Sequence, residues 1–206
     1  MDKLAERIYD PSTQELAVFK KTKEEWGGFS NMAADYPISI NGQLIRSSEA
    51  LYQALKYTHY PDIQKKILQE YSPMTAKMVG KPYKQYIRDD FEDKKIIIMK
   101  WSVRAKLMCN FEKFSAELLA SENRIIVEES RRDNFWGAKR VESGHLVGVN
   151  VLGRILMELR DLIKEKSVPD ILYPLNIENF NLYGEPIEAI HKQDKLFNHN
   201  DYDLFQ

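Results

Sequence analysis

The chain has 206 residues and 24.2 kDa, of which 43% are apolar, 11% aromatic and 30% charged. This is the balance of a globular protein with a sizeable core; it excludes a wholly disordered chain and contains no apolar run long enough for a membrane-spanning helix. The opening residues MDKLAERIYD lack the apolar stretch of a secretory signal, so the expected location is cytoplasmic, with no membrane partner.

Net charge is −1, which argues against a generic nucleic-acid coat protein. The charge is unevenly spread. Residues 168–206 hold two Lys+Arg and seven Asp+Glu, leaving 28 basic and 24 acidic residues in 1–167. A mildly basic body attracts phosphates, although a solvated surface with an acidic tail explains the numbers equally well. Cys109 is the single cysteine, so there is neither an intrachain disulfide nor a CxxC metal site. The four histidines lack HExxH or H-x-E spacing, which argues against a zinc hydrolase or deaminase; no metal and no cofactor are expected.

In chain order, residues 14–20 predict a strand, followed by a loop at Trp26-Gly27-Gly28. Residues 36–40 and 43–45 flank Asn41-Gly42, which predicts a type I′ hairpin. Ser47 or Ser48 caps a helix to about Tyr57. Pro61 opens a second helix ending near Tyr71, and Ser72-Pro73 caps a third that Gly80 can close. Residues 90–108 show helical spacing, and Asn110 caps a helix through Leu119. Arg124–Val127 read as a strand, and 129–149 as a polar loop. Asn150 then caps a helix of about four turns, with Val151, Leu152, Ile155, Leu156 and Leu159 on its apolar face. Pro169 forbids its continuation. The expectation is an α+β fold: a mostly helical single domain (1–167) with a small β-sheet or hairpin. The acidic extension 168–206, with Tyr173, Phe180, Tyr183, Phe197, Tyr202 and Phe205, packs on that domain and frays at its end.

Four segments can carry chemistry. Glu49, Gln53 and Lys56 share one helix face at i, i+4 and i+7. They form either a solvated stripe or a carboxylate, an amide and an ammonium in one cleft. A carboxylate near a helix N-terminus is favoured as the anion, which suits a general base. Residues 128–140 (EESRRDNFWGAKR) gather Arg131, Arg132, Lys139 and Arg140 for phosphates, Phe135 and Trp136 for base stacking, and Asp133 to orient a hydroxyl or water. The alternative is a surface loop of paired charges. Residues 144–153 bring three glycines to a helix start, which is either an anion site or a tight loop. Met99-Lys100-Trp101 with Arg104 and Lys106 read as a core stripe or, at Lys106, a phosphate contact.

Together these segments resemble the NADAR family, with its YbiA-like members. The residues that carry the resemblance are Phe29-Ser30-Asn31, Ser48-Glu49 with Gln53 and Lys56, Ser72-Pro73-Met74 with Ala76, and Met99 with Lys106. They continue with Leu118-Leu119, Glu128, Asp133, Trp136-Gly137, Asn150, Leu152-Gly153 and Leu156–Arg160. The likeness spans about Val18 to Ile163. It implies hydrolysis of an N-glycosidic bond at ribose C1. One branch acts on phosphoribosylamino-pyrimidine intermediates of riboflavin synthesis. Another removes ADP-ribose from guanine in DNA, some members as antitoxins of a DarT-type DNA ADP-ribosyltransferase. The leader Phe19–Gly28, the run Ser48-Glu49-Ala50-Leu51-Tyr52-Gln53-Ala54 and Phe135–Lys139 are closer to the second branch. Ala138-Lys139-Arg140-Val141-Glu142 replaces the glycine-rich stretch usual after Trp-Gly.

The resemblance implies Glu49 as the central carboxylate and Asp133 as a residue that orients water or a ribose hydroxyl. For substrate binding it suggests Asn31, Lys56, Lys106, Arg132 and Asn150 on oxygens, and Trp136 and Trp101 for stacking. A second chemistry opens the ribose and passes through a lysine Schiff base, with Lys23, Lys56 or Lys106 as nucleophile. The partners implied are DNA carrying a guanine adduct and a DarT-type toxin. The competing class is a module that binds NAD or ADP-ribose without cleaving it.

Overall fold

The computed structural model describes residues 4–193. Strands β1 (Arg7–Tyr9) and β2 (Leu16–Phe19) lead into a short 3-10 turn and the hairpin β3 (Ile38–Ile40) and β4 (Gln43–Ile45). Asn41 (φ 50°) and Gly42 (φ 70°) both occupy the left-handed region that a type I′ turn requires. Helix α1 (Ser48–Ala54) follows, and the Ser47 hydroxyl accepts the Ala50 N–H at 3.2 Å. Then come α2 (Pro61–Leu68), α3 (Pro73–Val79), a 3-10 segment at Lys81–Tyr86, α4 (Phe91–Cys109) and α5 (Phe111–Ala120). The chain continues through β5 (Ile125–Glu128), β6 (Lys139–Arg140), β7 (Leu146–Gly148) and α6 (Val151–Lys164).

The α+β class is as expected, but local details differ. Gly80 closes α3 as expected, but with right-handed backbone (φ −69°), and the 3-10 segment follows at once. Residues 129–149 are more than a polar loop: β7 pairs antiparallel with both β1 and β6. None of Ser72, Asn110 and Asn150 caps its helix with a side-chain hydrogen bond. Asn110 Nδ2 donates instead to the Pro37 and Lys106 carbonyls.

Two features position the site. β2 lies parallel to β5, in register from Leu16 opposite Ile125 to Phe19 opposite Glu128. A parallel pair needs a crossover, and here the helical block from α1 to α5 supplies it. Helix α6 packs directly on β5. A Cβ on Gly153 would stand 2.2 Å from the Ile126 carbonyl oxygen, so this approach requires glycine.

Residues 168–193 form two short antiparallel pairs, the inner one beside α2 and the outer one against α4. β8 (Ile171–Leu172) pairs with β11 (Ile190–His191), and β9 (Asn181–Leu182) with β10 (Glu185–Pro186). Phe180, Leu182, Ile187 and Ile190 are buried in the main core, while Tyr173 is exposed. The expected fraying of the extreme end, with Phe197, Tyr202 and Phe205, falls outside the described residues. Among the described residues no helix is long and apolar enough to cross a membrane, and no cluster of His, Cys, Asp and Glu is arranged to hold a metal ion.

Candidate active site

A cavity of about 580 Å³ opens where α1, α4, α6 and the C-terminal end of β5 meet. That size suits a small ligand or a large part of a nucleotide. α1 contributes Glu49, Tyr52, Gln53 and Lys56; α4 contributes Phe91, Glu92, Lys95 and Met99. Glu128 stands at the end of β5, and the following segment adds Glu129, Ser130, Arg131, Asp133 and Trp136. Lys20, Lys21 and Lys77 stand among the lining residues from β2's exit and from α3.

Glu49 is almost wholly buried and held at both ends. Its backbone N–H donates to the Asn31 carbonyl at 2.9 Å, and Ser48 Oγ donates to Asn31 Oδ1 at 3.0 Å. Asn31 therefore docks the start of α1 and fixes where Glu49 emerges. The Glu49 carboxylate accepts from Gln53 Nε2 at 2.9 Å and lies 3.6 Å from the Lys77 ammonium. Both contacts fall on Oε1, which leaves Oε2 for a ligand or water. The i, i+4 spacing seen in the sequence thus produces a bound carboxylate–amide pair in a cleft, not a solvated stripe.

Glu128 is held in a different way. Asn150 adopts φ 54° and clamps the strand edge: its Nδ2 donates to the Ile126 carbonyl at 2.8 Å, and its Oδ1 accepts the Glu128 N–H at 3.1 Å. The Glu128 carbonyl accepts the Ala138 N–H at 2.8 Å. Burial first, and then the negative charges of Glu49 and Asp133, push the Glu128 carboxyl up to about 7, with Lys77 acting partly against them. Glu128 was not singled out from the sequence as a site residue. The available signal was a carboxylate closing the apolar run Ile125-Ile126-Val127.

Asp133 holds its own loop together. Its Oδ1 accepts the N–H groups of Phe135 and Trp136 at 2.9 and 2.8 Å, which orients the tryptophan. Trp136 meets the Tyr52 ring edge-to-face at 5.7 Å, and Tyr52 stands 5.8 Å from Phe91, forming an aromatic wall. The Lys56 ammonium lies 5.2 Å from the Tyr52 ring and 5.1 Å from Phe91. Burial holds Lys56 below its ordinary lysine value, with Lys77 acting the same way and Glu49 and Glu92 acting against it.

The cavity therefore unites Asn31, Glu49, Lys56, Asp133 and Trp136. Five other sequence candidates lie elsewhere. Lys106 is fully buried: its Nζ donates to the Gly28 and Ser30 carbonyls and lies 4.4 and 4.2 Å from the Tyr36 and Phe114 rings. It braces the 28–30 loop and does not reach a phosphate in the cavity. Trp101 is buried against Phe180, with its Nε1 donating to the Tyr173 carbonyl at 2.9 Å. Asn150 has both side-chain groups committed to β5. Arg132 points its exposed side chain away from the lining, where the adjacent Arg131 takes part. Lys23 is exposed and outside the lining, which instead includes Lys20 and Lys21. Gln53, placed beside Glu49 by helical spacing, completes the site with Lys77, Tyr52, Phe91 and Lys95, whose roles become visible only when α1, α3 and α4 are brought together.

The comparisons with known proteins agree on one family. The NADAR domain model matches residues 18–164. The N-glycosidase YbiA of Escherichia coli is 34% identical over 157 residues, covering 76% of this chain and 94% of that one. A riboflavin biosynthesis protein of Vibrio vulnificus is 30% identical over 175 residues; the match covers 81% of this chain and 45% of that longer one. The NMR structure of E. coli YbiA superposes with a TM-score of 0.63 at 31% identity, covering 75% of this chain and 88% of that one. With the family model covering most of its length and a full-length relative sharing a third of its residues, this chain belongs to the NADAR family.

Proposed function

We propose that this chain is a hydrolase acting on N-glycosyl bonds, and that its substrate is guanine carrying ADP-ribose in DNA. The observation that carries the reading is the pair of unlike carboxylates in one cavity. Glu49 is bound by an amide and an ammonium. Glu128 is shifted so that it still carries a proton near neutral pH. Two acids in surroundings this unlike divide the roles of base and acid.

Breaking a ribosyl C1–N bond develops positive charge at C1 and leaves a base that must take up a proton. Glu128 donates that proton to the departing base. Glu49 stabilises the cation and takes a proton from the attacking water. Asp133 fixes Trp136 for stacking against the base. Lys20, Lys21, Lys56, Lys77, Lys95 and Arg131 give the lining a cationic share that suits a pyrophosphate. The Phe19–Gly28 leader and the Ser48–Ala54 run support the DNA-directed branch, and with it a role as antitoxin to a DarT-type transferase.

One observation favours a second route within the same activity. Lys56 is the cavity lysine whose ammonium burial disfavours, and a neutral amine is a nucleophile. With the ribose open at C1, the Lys56 amine adds there, guanine leaves with a proton, and water hydrolyses the resulting imine.

The test is mass spectrometry of a guanine-ADP-ribosylated oligonucleotide incubated with wild type and Glu49→Gln. Wild type should release ADP-ribose and restore the unmodified strand, while Glu49→Gln loses roughly 10²–10⁴-fold in rate. Cleavage of a phosphoribosylamino-pyrimidine but not of the oligonucleotide would move the substrate to the metabolite class. Binding of ADP-ribose without release from either would make the chain a binding module. Borohydride trapping of an adduct on Lys56 separates the two routes.

A further inference from the structure

On either side of α3, whose Lys77 lines the cavity, the chain presents a surface outside that lining. The segment 60–86 carries five lysines against Asp62 and Glu70, a net +3; Lys77 belongs to the cavity, and Lys65, Lys66, Lys81 and Lys84 are exposed outside it. The segment also exposes large rings. Tyr60 is 40% and Tyr86 39% exposed, and their centroids are 4.8 Å apart. Tyr83 continues the cluster at 6.5 Å from Tyr86, with the Lys66 ammonium 2.9 Å from its hydroxyl. The chain joins this cluster to the cavity directly, because Lys77, one α3 turn before Gly80, is the residue that contacts Glu49.

We propose that this tyrosine–lysine surface is the track for a single strand of nucleic acid leading into the cavity. Exposed rings with lysines between them are what an unpaired strand needs: faces for bases to stack on and cations for the phosphates beside them. A folded protein partner is a poorer match, since the lysines on this surface outnumber its acids two to one. Burying them would cost desolvation without compensating pairs. The surface explains how an adducted base on a polymer enters a pocket sized for a small ligand: the flanking nucleotides stay outside, on Tyr60 and Tyr86. The proposal rests on the reading above that a polymer carries the ribosylated base.

The test uses the full chain and an unmodified, fluorescein-labelled single strand of roughly 12 nucleotides, within the range such surfaces cover. Wild type should bind with an affinity that falls steeply with salt. Tyr86→Ala should weaken binding about tenfold, and Tyr86→Phe, which keeps the ring, should not. Lys81→Gln with Lys84→Gln should lower the salt slope by about 1.4, the value for two single-strand phosphates. All three variants should cleave the ribosylated mononucleoside at the wild-type rate. Equal binding by wild type, Tyr86→Ala and the double variant would overturn the surface and leave the proposed reaction standing. So would absence of strand binding by a wild type that cleaves the mononucleoside, which would leave the face to another class of partner. Strand binding with the expected losses but no cleavage of any substrate would uphold the surface and overturn the reaction.

Discussion

Replacing Glu128 with glutamine tests the electrostatics of the cavity without changing its shape. The Glu128 carboxyl is raised from 4.5 to about 7. Between these two values the folded protein holds a proton that the unfolded chain has released. Stability must therefore fall as pH rises through this window. The shift corresponds to roughly 3 kcal/mol of destabilisation fully present above pH 7 and absent below pH 4.5. Glutamine cannot ionise, so Glu128→Gln should remove that cost. In urea titrations the variant should gain little on wild type at pH 4.5 and roughly 3 kcal/mol at pH 8. By thermal unfolding the gain at pH 8 amounts to roughly 6–12 °C for a chain of this size. The same substitution should cost about 10²–10⁴-fold in turnover and abolish the fall in wild-type rate as pH rises through 7, because no proton donor remains. Stability differences that stay constant from pH 4.5 to pH 8 would refute the argument that Glu128 is held as a neutral acid.

Three further outcomes follow from the packing. Asn150→Ala removes both bonds to β5 and places alanine at φ 54°, so it should lose about 2–4 kcal/mol in denaturant and lower kcat more than it raises KM; Asn150→Gly, which relieves the backbone alone, should recover only part. Lys106→Met strands the Gly28 and Ser30 carbonyls, and should lose about 2–4 kcal/mol of stability while leaving KM of the folded fraction unchanged; a specific rise in KM would return Lys106 to the binding site. Gly153→Ala forces a methyl to within 2.2 Å of the Ile126 oxygen, and should cost about 3 kcal/mol, read from the urea midpoint.

What was legible in the sequence was whatever local chemistry decides. Asn41-Gly42 fixes the hairpin, proline opens α2 and α3, and the apolar face of α6 is plain. Glu49 and Gln53 meet because helical spacing alone brings them together. The rest depends on distant neighbours. β7 becomes a strand between Arg7–Tyr9 on one side and Lys139–Arg140 on the other, and the three residues of β1 carry too little pattern to announce themselves. Lys106 resembles a surface cation until the 28–30 loop closes over it. Asn150 stands where a helix cap belongs, yet its left-handed backbone turns the side chain toward β5 instead. Glu128 reads as the first acid of a charged loop, and its burial follows from a pairing with Phe19 made across the whole helical block.

That long-range pairing has a kinetic consequence. Leu16 and Ile125 are neighbours in space but 109 positions apart in the chain, and the four strand residues from Leu16 must wait until β5 exists to receive them. Closing so large a loop is an entropic cost met before any contact rewards it, so this step belongs late in folding. Because Glu128 is the last residue of the pair, a chain with its helices formed but β2 unpaired has no finished cavity. Ligand binding would then report completion of folding rather than progress towards it, and a stalled or shortened chain would be inert instead of partly active.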